Sequence, residues 1–131
     1  MKKIIKTEKA PAPIGPYNQA VLAGKTLYVS GQIALNPETG ELLKGSIEAE
    51  TELVMRNLDA VLKAAGADFS HVVKSSIFVA DMGQFARINE VYGAYFDADS
   101  APARETVEVA NLPKYVNVEI SVIAYLGDSD R

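Results

Sequence analysis

Residues 101–126 read APARETVEVANLPKYVNVEISVIAYL, and the alternation in this stretch decides the fold. Val116, Val118, Ile120, Val122, Ala124 and Leu126 recur at every second position, so they share one face of a strand. Glu119 falls on the other face. In the preceding run Arg104, Thr106 and Glu108 alternate with Glu105, Val107 and Val109. Asn111-Leu112-Pro113-Lys114 supplies turn chemistry, so the stretch reads as two strands joined by a short turn. An arginine and a glutamate therefore stand in mid-strand, where a lone charge is costly unless paired. Two explanations compete. One is a structural ion pair. The other is a site, with a guanidinium for an anionic ligand and a carboxylate for a proton or a water.

Working outward, the 131 residues are expected to form one domain, 1–131, long enough for a full core without staples. The absence of cysteine rules out disulfides, thiolate nucleophiles and Cys-ligated metals. The net charge of −4 and a pI near 5.0 argue against nucleic acid or an anionic membrane as the main partner. No apolar run has spanning length, and Met1-Lys2-Lys3-Ile4-Ile5-Lys6 is too short and charged for a signal peptide. A soluble cytoplasmic chain is the expectation. His71 opens a strand after a turn and reads as a plain surface residue.

Lys3–Thr7 is a short strand candidate. Pro11-Ala12-Pro13-Ile14-Gly15-Pro16 has few free dihedrals and delivers Tyr17 to a fixed place. Tyr17–Leu22 and Thr26–Ile33 read as strands around the turn Ala23-Gly24-Lys25. Ser30-Gly31-Gln32 interrupts the second, and Gly31 suggests close approach of another group. Ser30 reads equally as a sheet hydroxyl bonded to backbone or as a ligand contact. Ser46 is a candidate N-cap, with Glu48 and Glu50 in the first turn. Ile47, Thr51, Val54, Leu58, Val61 and Ala65 trace a helical stripe that Gly66 stops. Val72–Ala80 is the next strand. Asp81 to Gln84 has the form of a capping box, and the helix after it carries Phe85, Ile88, Tyr92, Tyr95 and Phe96 inward, ending by Asp97–Ala101.

Strand–helix–strand passages favour parallel strands and short turns favour antiparallel ones. The order predicts an α+β fold: a mixed six-stranded sheet with two helices on one face. The uncovered face is expected to carry Tyr17, Ser30, Thr106 and Glu119 among apolar groups, and to be solvated or buried against other subunits. No G-x-G-x-x-G, P-loop or H-E-x-x-H is present, so neither a nucleotide cofactor nor a catalytic metal is expected.

Ile14-Gly15-Pro16-Tyr17, Ser30-Gly31-Gln32, Asn36-Pro37-x-Thr39-Gly40-Glu41, Pro102-Ala103-Arg104 and Leu112-Pro113-Lys114 with Val118-Glu119-Ile120 stand in the order seen in the reactive intermediate deaminase family (RidA/YjgF), which the whole chain resembles. The resemblance implies a chorismate-mutase-like fold and a homotrimer with a site in each cleft between subunits. It also implies hydrolysis of 2-imino or 2-enamino acids to 2-oxo acids and ammonia without a cofactor. By similarity Arg104 grips the substrate carboxylate and Glu119 orients the attacking water. Tyr17 and Ser30 then form the cleft wall, Phe85 and Asn89 line it from the second helix, and the Thr106 backbone contacts the ligand. Two positions depart from the family pattern: cysteine is common where Thr106 stands, and Glu105 occupies a position usually small or apolar. Strand alternation turns Glu105 away from Arg104, whereas a bulge would let it compete for the guanidinium. The alternative to an enzyme is a module that binds a 2-oxo acid without turnover. A nuclease reading is weakest, given the acidic pI and lone histidine.

Overall fold

The computed structural model describes residues 2–127. The strands are β1 (Lys2–Ile5), β2 (Ala20–Ala23), β3 (Thr26–Gln32), β4 (Val72–Val79), β5 (Ala103–Glu108) and β6 (Val118–Tyr125). The helices are α1 (Ile47–Ala64) and α2 (Phe85–Gly93). The sheet runs β1-β2-β3-β6-β4-β5, with β4 and β5 parallel and every other pair antiparallel. Both strand–helix–strand passages join parallel strands: β3 and β4 each run antiparallel to the β6 between them, and β4 pairs directly with β5 in parallel.

The expected hairpin of residues 101–126 does not form. β4 lies between β5 and β6, and the chain crosses its end through residues 109–117. That connection is too long for a tight turn. It buries Leu112 and Val116 with Ile33 and Leu35 in a small second core. Lys114 and Tyr115 both take positive φ, 54° and 56°, the left-handed region that costs a side-chain-bearing residue about 1–2 kcal/mol. The Glu50 carboxylate fixes the far end of this connection, accepting hydrogen bonds from the Asn117 backbone N and Nδ2, both at 2.8 Å.

Helix α1 begins as expected, with the Ser46 hydroxyl accepting from the Ala49 N at 3.1 Å. It ends in a Schellman arrangement: the Ala67 N donates to the Leu62 O and the Gly66 N to the Lys63 O. Gly66 holds φ +78°, and a Cβ there would meet nothing, so conformation alone explains the glycine. The main core lies between the helices and one sheet face. Leu27, Val54, Leu58, Val61, Ile77, Val79, Val118 and Ile120 are all essentially inaccessible there.

Helix α2 is shorter than its apolar stripe. It ends at Gly93, and Tyr95 and Phe96 follow it, packing around Phe69 at centroid distances of 5.1 and 5.4 Å. Asp81 caps a single 3-10 turn, Met82–Gln84, accepting from the Gly83 N, and Gln84 makes no return side-chain bond. Tyr17 lies outside β2, in the segment before it. His71 is more than a surface residue: its Nδ1 accepts from the Asp68 N at 3.1 Å and closes a capping box ahead of β4. No helix among the described residues is long and apolar enough to cross a membrane.

Candidate functional site

Sheet register assigns each candidate residue a face. Arg104 stands beside Ser75 on β4, which stands beside Val122 on β6; Ser75 and Val122 are buried under the helices. Glu119 stands beside Phe78, which stands beside Val107, and these project from the uncovered face. Arg104 and Glu119 therefore leave opposite faces of the sheet, with β4 between their strands. An ion pair between them within one chain is excluded.

Around Arg104, α2 supplies the surroundings. The Arg104 Nη1 donates to the Asn89 Oδ1 at 2.6 Å. The guanidinium carbon lies 5.5 Å from the centre of the Phe85 ring and 5.2 Å from that of Tyr92, within cation–π range. Phe85, Asn89 and Tyr92 are four and three residues apart in sequence, so they share one helix face. No carboxylate of the described residues pairs with Arg104. Its charge is held by an amide and two aromatic faces. Glu105 points the other way, as alternation requires. It pairs with the Lys74 Nζ at 2.9 Å and accepts from the Ser76 hydroxyl, so it does not compete for the guanidinium. Those two partners hold its carboxyl below the usual range, the serine contributing most.

Thr106 was expected on the uncovered face with Tyr17, Ser30 and Glu119. It belongs instead to Arg104's side, two residues along the same strand. Its Oγ1 is the buried side-chain oxygen without a hydrogen-bond partner among the described residues.

The uncovered face carries a cleft of about 340 Å³ lined by Ile14, Tyr17, Ser30, Gly31, Pro113 and Glu119, with Ile33 beneath. Glu119 is half-buried there, and that burial pushes its carboxyl above the ordinary glutamate range. No salt bridge or hydrogen bond to it is found among the described residues. The close approach that Gly31 suggested is to this side chain, across a bulge between Val29 and Gln32. The Ser30 hydroxyl donates to the Asn18 O at 2.6 Å, the backbone role, while the residue also lines the cleft. The Tyr17 hydroxyl accepts from the Ile14 N at 3.3 Å.

Gln19 is a positioning residue that the sequence did not flag. Buried at the start of β2, its side chain accepts from the Thr7 N at 2.8 Å and donates to the Ala10 O and Pro11 O at 3.2 and 2.8 Å. It ties the proline segment to the sheet and so sets the wall that carries Tyr17. Only its place between Asn18 and an apolar strand could have signalled this. Among the described residues no three acidic or histidine side chains converge as metal ligands would.

A six-stranded mixed sheet with two helices on one face, an unneutralised arginine on that side and a desolvated glutamate in a cleft on the other, defines an α+β protein of chorismate-mutase-like architecture. Residues 7–126 match the family model described as endoribonuclease L-PSP. The chain belongs to that family, which is the RidA/YjgF family its motifs resemble. It is 47% identical over 127 residues to the 2-iminobutanoate/2-iminopropanoate deaminase of Mus musculus, covering 97% of this chain and 93% of that one. The crystal structure of RidA from the Antarctic bacterium Psychrobacter sp. is similar at TM-score 0.89 and 45% identity, over 94% of this chain and 98% of that one. That of E. coli TdcF with bound serine is similar at TM-score 0.87 and 42% identity, over 94% of this chain and 98% of that one.

Proposed function

We propose that the protein is a homotrimer that hydrolyses reactive 2-imino and 2-enamino acids to 2-oxo acids and ammonia. The observation that carries this reading is Arg104, oriented by neutral groups alone and so free to take an anionic ligand. Relatives named imine deaminases and a relative holding serine, itself an amino carboxylate, support the substrate class. Arg104 binds the substrate carboxylate through two parallel N–H donors. Asn89 and Phe85 hold the arginine, the Thr106 backbone meets the same ligand, and Tyr17 and Ser30 wall the cleft around the reacting carbon.

Because Arg104 and Glu119 leave opposite sheet faces, one ligand meets both only when they come from two subunits. Glu119 then takes a proton from water as the oxygen attacks C2 of the imine, giving a tetrahedral carbinolamine. The Glu119 carboxyl passes that proton to the imine nitrogen, completing the neutral carbinolamine. The carboxylate then moves the carbinolamine hydroxyl proton to the amine, the C2=O bond forms as the C–N bond breaks with its electron pair on nitrogen, and ammonia leaves the 2-oxo acid. A carboxyl raised above its usual range suits both the uptake and the return. An imine is already electrophilic, so positioning supplies most of the acceleration.

The test couples the protein to a serine or threonine dehydratase and times 2-oxo acid release. Faster release supports the enzyme; tight 2-oxo acid binding without faster release leaves the binding module. Mixing subunits tests the shared site. Arg104→Ala and Glu119→Gln trimers, each inactive, should regain about a quarter of wild-type activity after co-refolding, since one ordered subunit pair in four supplies both groups. No regain would mean that the two groups do not act on one ligand in a shared site.

A further inference from the structure

Tyr92 has the spacing of a core residue, three and four positions from Asn89 and Ile88, and it is buried as one. Two of its contacts are not those of a core residue. Its ring lies under the guanidinium of Arg104, the centroid 5.2 Å from the carbon. Its hydroxyl donates to the Ser75 Oγ at 2.9 Å, and Ser75 is the residue directly beside Arg104 in the sheet. Ser75 is fully buried, so neither partner exchanges this bond for water.

We propose that Tyr92, locked by Ser75, is a positioning residue that sets the plane of the Arg104 guanidinium for carboxylate binding. The inference rests on the proposed role of Arg104 as the carboxylate anchor.

The physical need is specific. An arginine on an edge strand has a long, flexible side chain, and a bidentate grip on a carboxylate works only if the planar fork is held in one orientation. A structural acid would hold it but would also neutralise it. An aromatic face attracts the cation without cancelling its charge, and is strongest where water is excluded. Phe85 adds a second face and Asn89 one acceptor, which engages one N–H and leaves the others for a ligand. A ring can orient a guanidinium only if it is fixed itself. The Ser75 bond fixes it, and does so from β4, the strand that also aligns β5. Burial keeps the Tyr92 hydroxyl protonated, because it raises the phenol above its ordinary range.

The experiment measures calorimetric binding of 2-oxobutanoate to the intact assembly, with steady-state turnover alongside. Tyr92→Leu removes the ring and should weaken binding about tenfold. KM should rise by a similar factor while kcat changes far less, since Glu119 is untouched. Tyr92→Phe and Ser75→Ala break the hydrogen bond from either end and keep the ring. Each should weaken binding about threefold, and the double variant no more than either single one, because they remove one bond. If Tyr92→Leu does not fold, this second pair decides the matter. Unchanged affinity in the folded hydroxyl variants, or a loss of kcat with KM unmoved, overturns the inference. Arg104→Lys separates the two readings. If it abolishes binding while the Tyr92 and Ser75 variants bind normally, only Tyr92's role fails. If it binds normally too, the carboxylate anchor itself is wrong.

Discussion

Gly31 and Glu119 stand so close that one methyl group would not fit between them. A Cβ on Gly31 would lie 2.7 Å from the Glu119 Oε2 and 2.8 Å from its carboxyl carbon. The bulge in β3 brings the backbone against the glutamate and holds the carboxylate toward the cleft. Gly31→Ala should fold, because the colliding atoms are the end of a flexible side chain. It should nevertheless displace the carboxylate and cut imine turnover roughly a hundredfold, the scale of an ångström-sized misplacement. The coupled assay checks this, with a thermal melt as the control for folding.

Glu119→Gln keeps size and removes the carboxylate proposed to act on water. Turnover should collapse while calorimetric binding of a 2-oxo acid survives. Stability should move as well, and in a definite direction. A carboxyl whose folded pKa is raised is stabilising in its protonated form below its unfolded pKa, and that contribution is lost as pH rises through the folded value. At pH 7 the variant should therefore melt above the wild type, and the gap should close as pH falls into the ordinary glutamate range. A lower melting temperature at pH 7 would mean that the carboxylate is held by a group on a neighbouring subunit.

Arg104→Lys keeps the charge and loses the fork. Lysine cannot stack over Phe85 and Tyr92 as a plane or offer two parallel donors. Activity, read as kcat/KM, should fall about a hundredfold, the scale of losing a charge-assisted hydrogen bond to the carboxylate. A wild-type rate in this variant would reduce the arginine to a structural role.

Thr106→Val replaces a buried, unpartnered hydroxyl by a methyl group of the same shape. Removing an unpaired polar atom should raise stability by about 1 kcal/mol, read as a higher melting temperature. A lower melting temperature would reveal a partner for that hydroxyl in the assembled protein.

Much of this was legible in the sequence, for identifiable reasons. Alternation placed Arg104 and Glu119 on strands and turned Glu105 aside, and the end of a helical stripe set Gly66 just past α1. What alternation cannot supply is the order of strands. Nothing in residues 101–126 says that β4 inserts between β5 and β6, and the face of Thr106 relative to Glu119 depends on that insertion. The burial of Leu112 and Val116, which carries the connection across, looks in sequence like an ordinary turn. Tyr92 was hidden differently. Helical spacing shows that a residue faces inward, and cannot tell packing on aliphatic neighbours from packing on a cation.

Gln19 has a further consequence, for motion. Residues 7–11 have no strand partner, and one buried side chain holds four of their backbone groups, the Thr7 N and O, the Ala10 O and the Pro11 O. Sheet amides open together, but this segment depends on a single amide group and opens when that group lets go. The wall carrying Tyr17 thus has a release that is independent of the core. In hydrogen exchange the Thr7 amide should be protected, yet exchange faster than Val29 at the sheet centre, and the cleft can widen while the sheet stays intact.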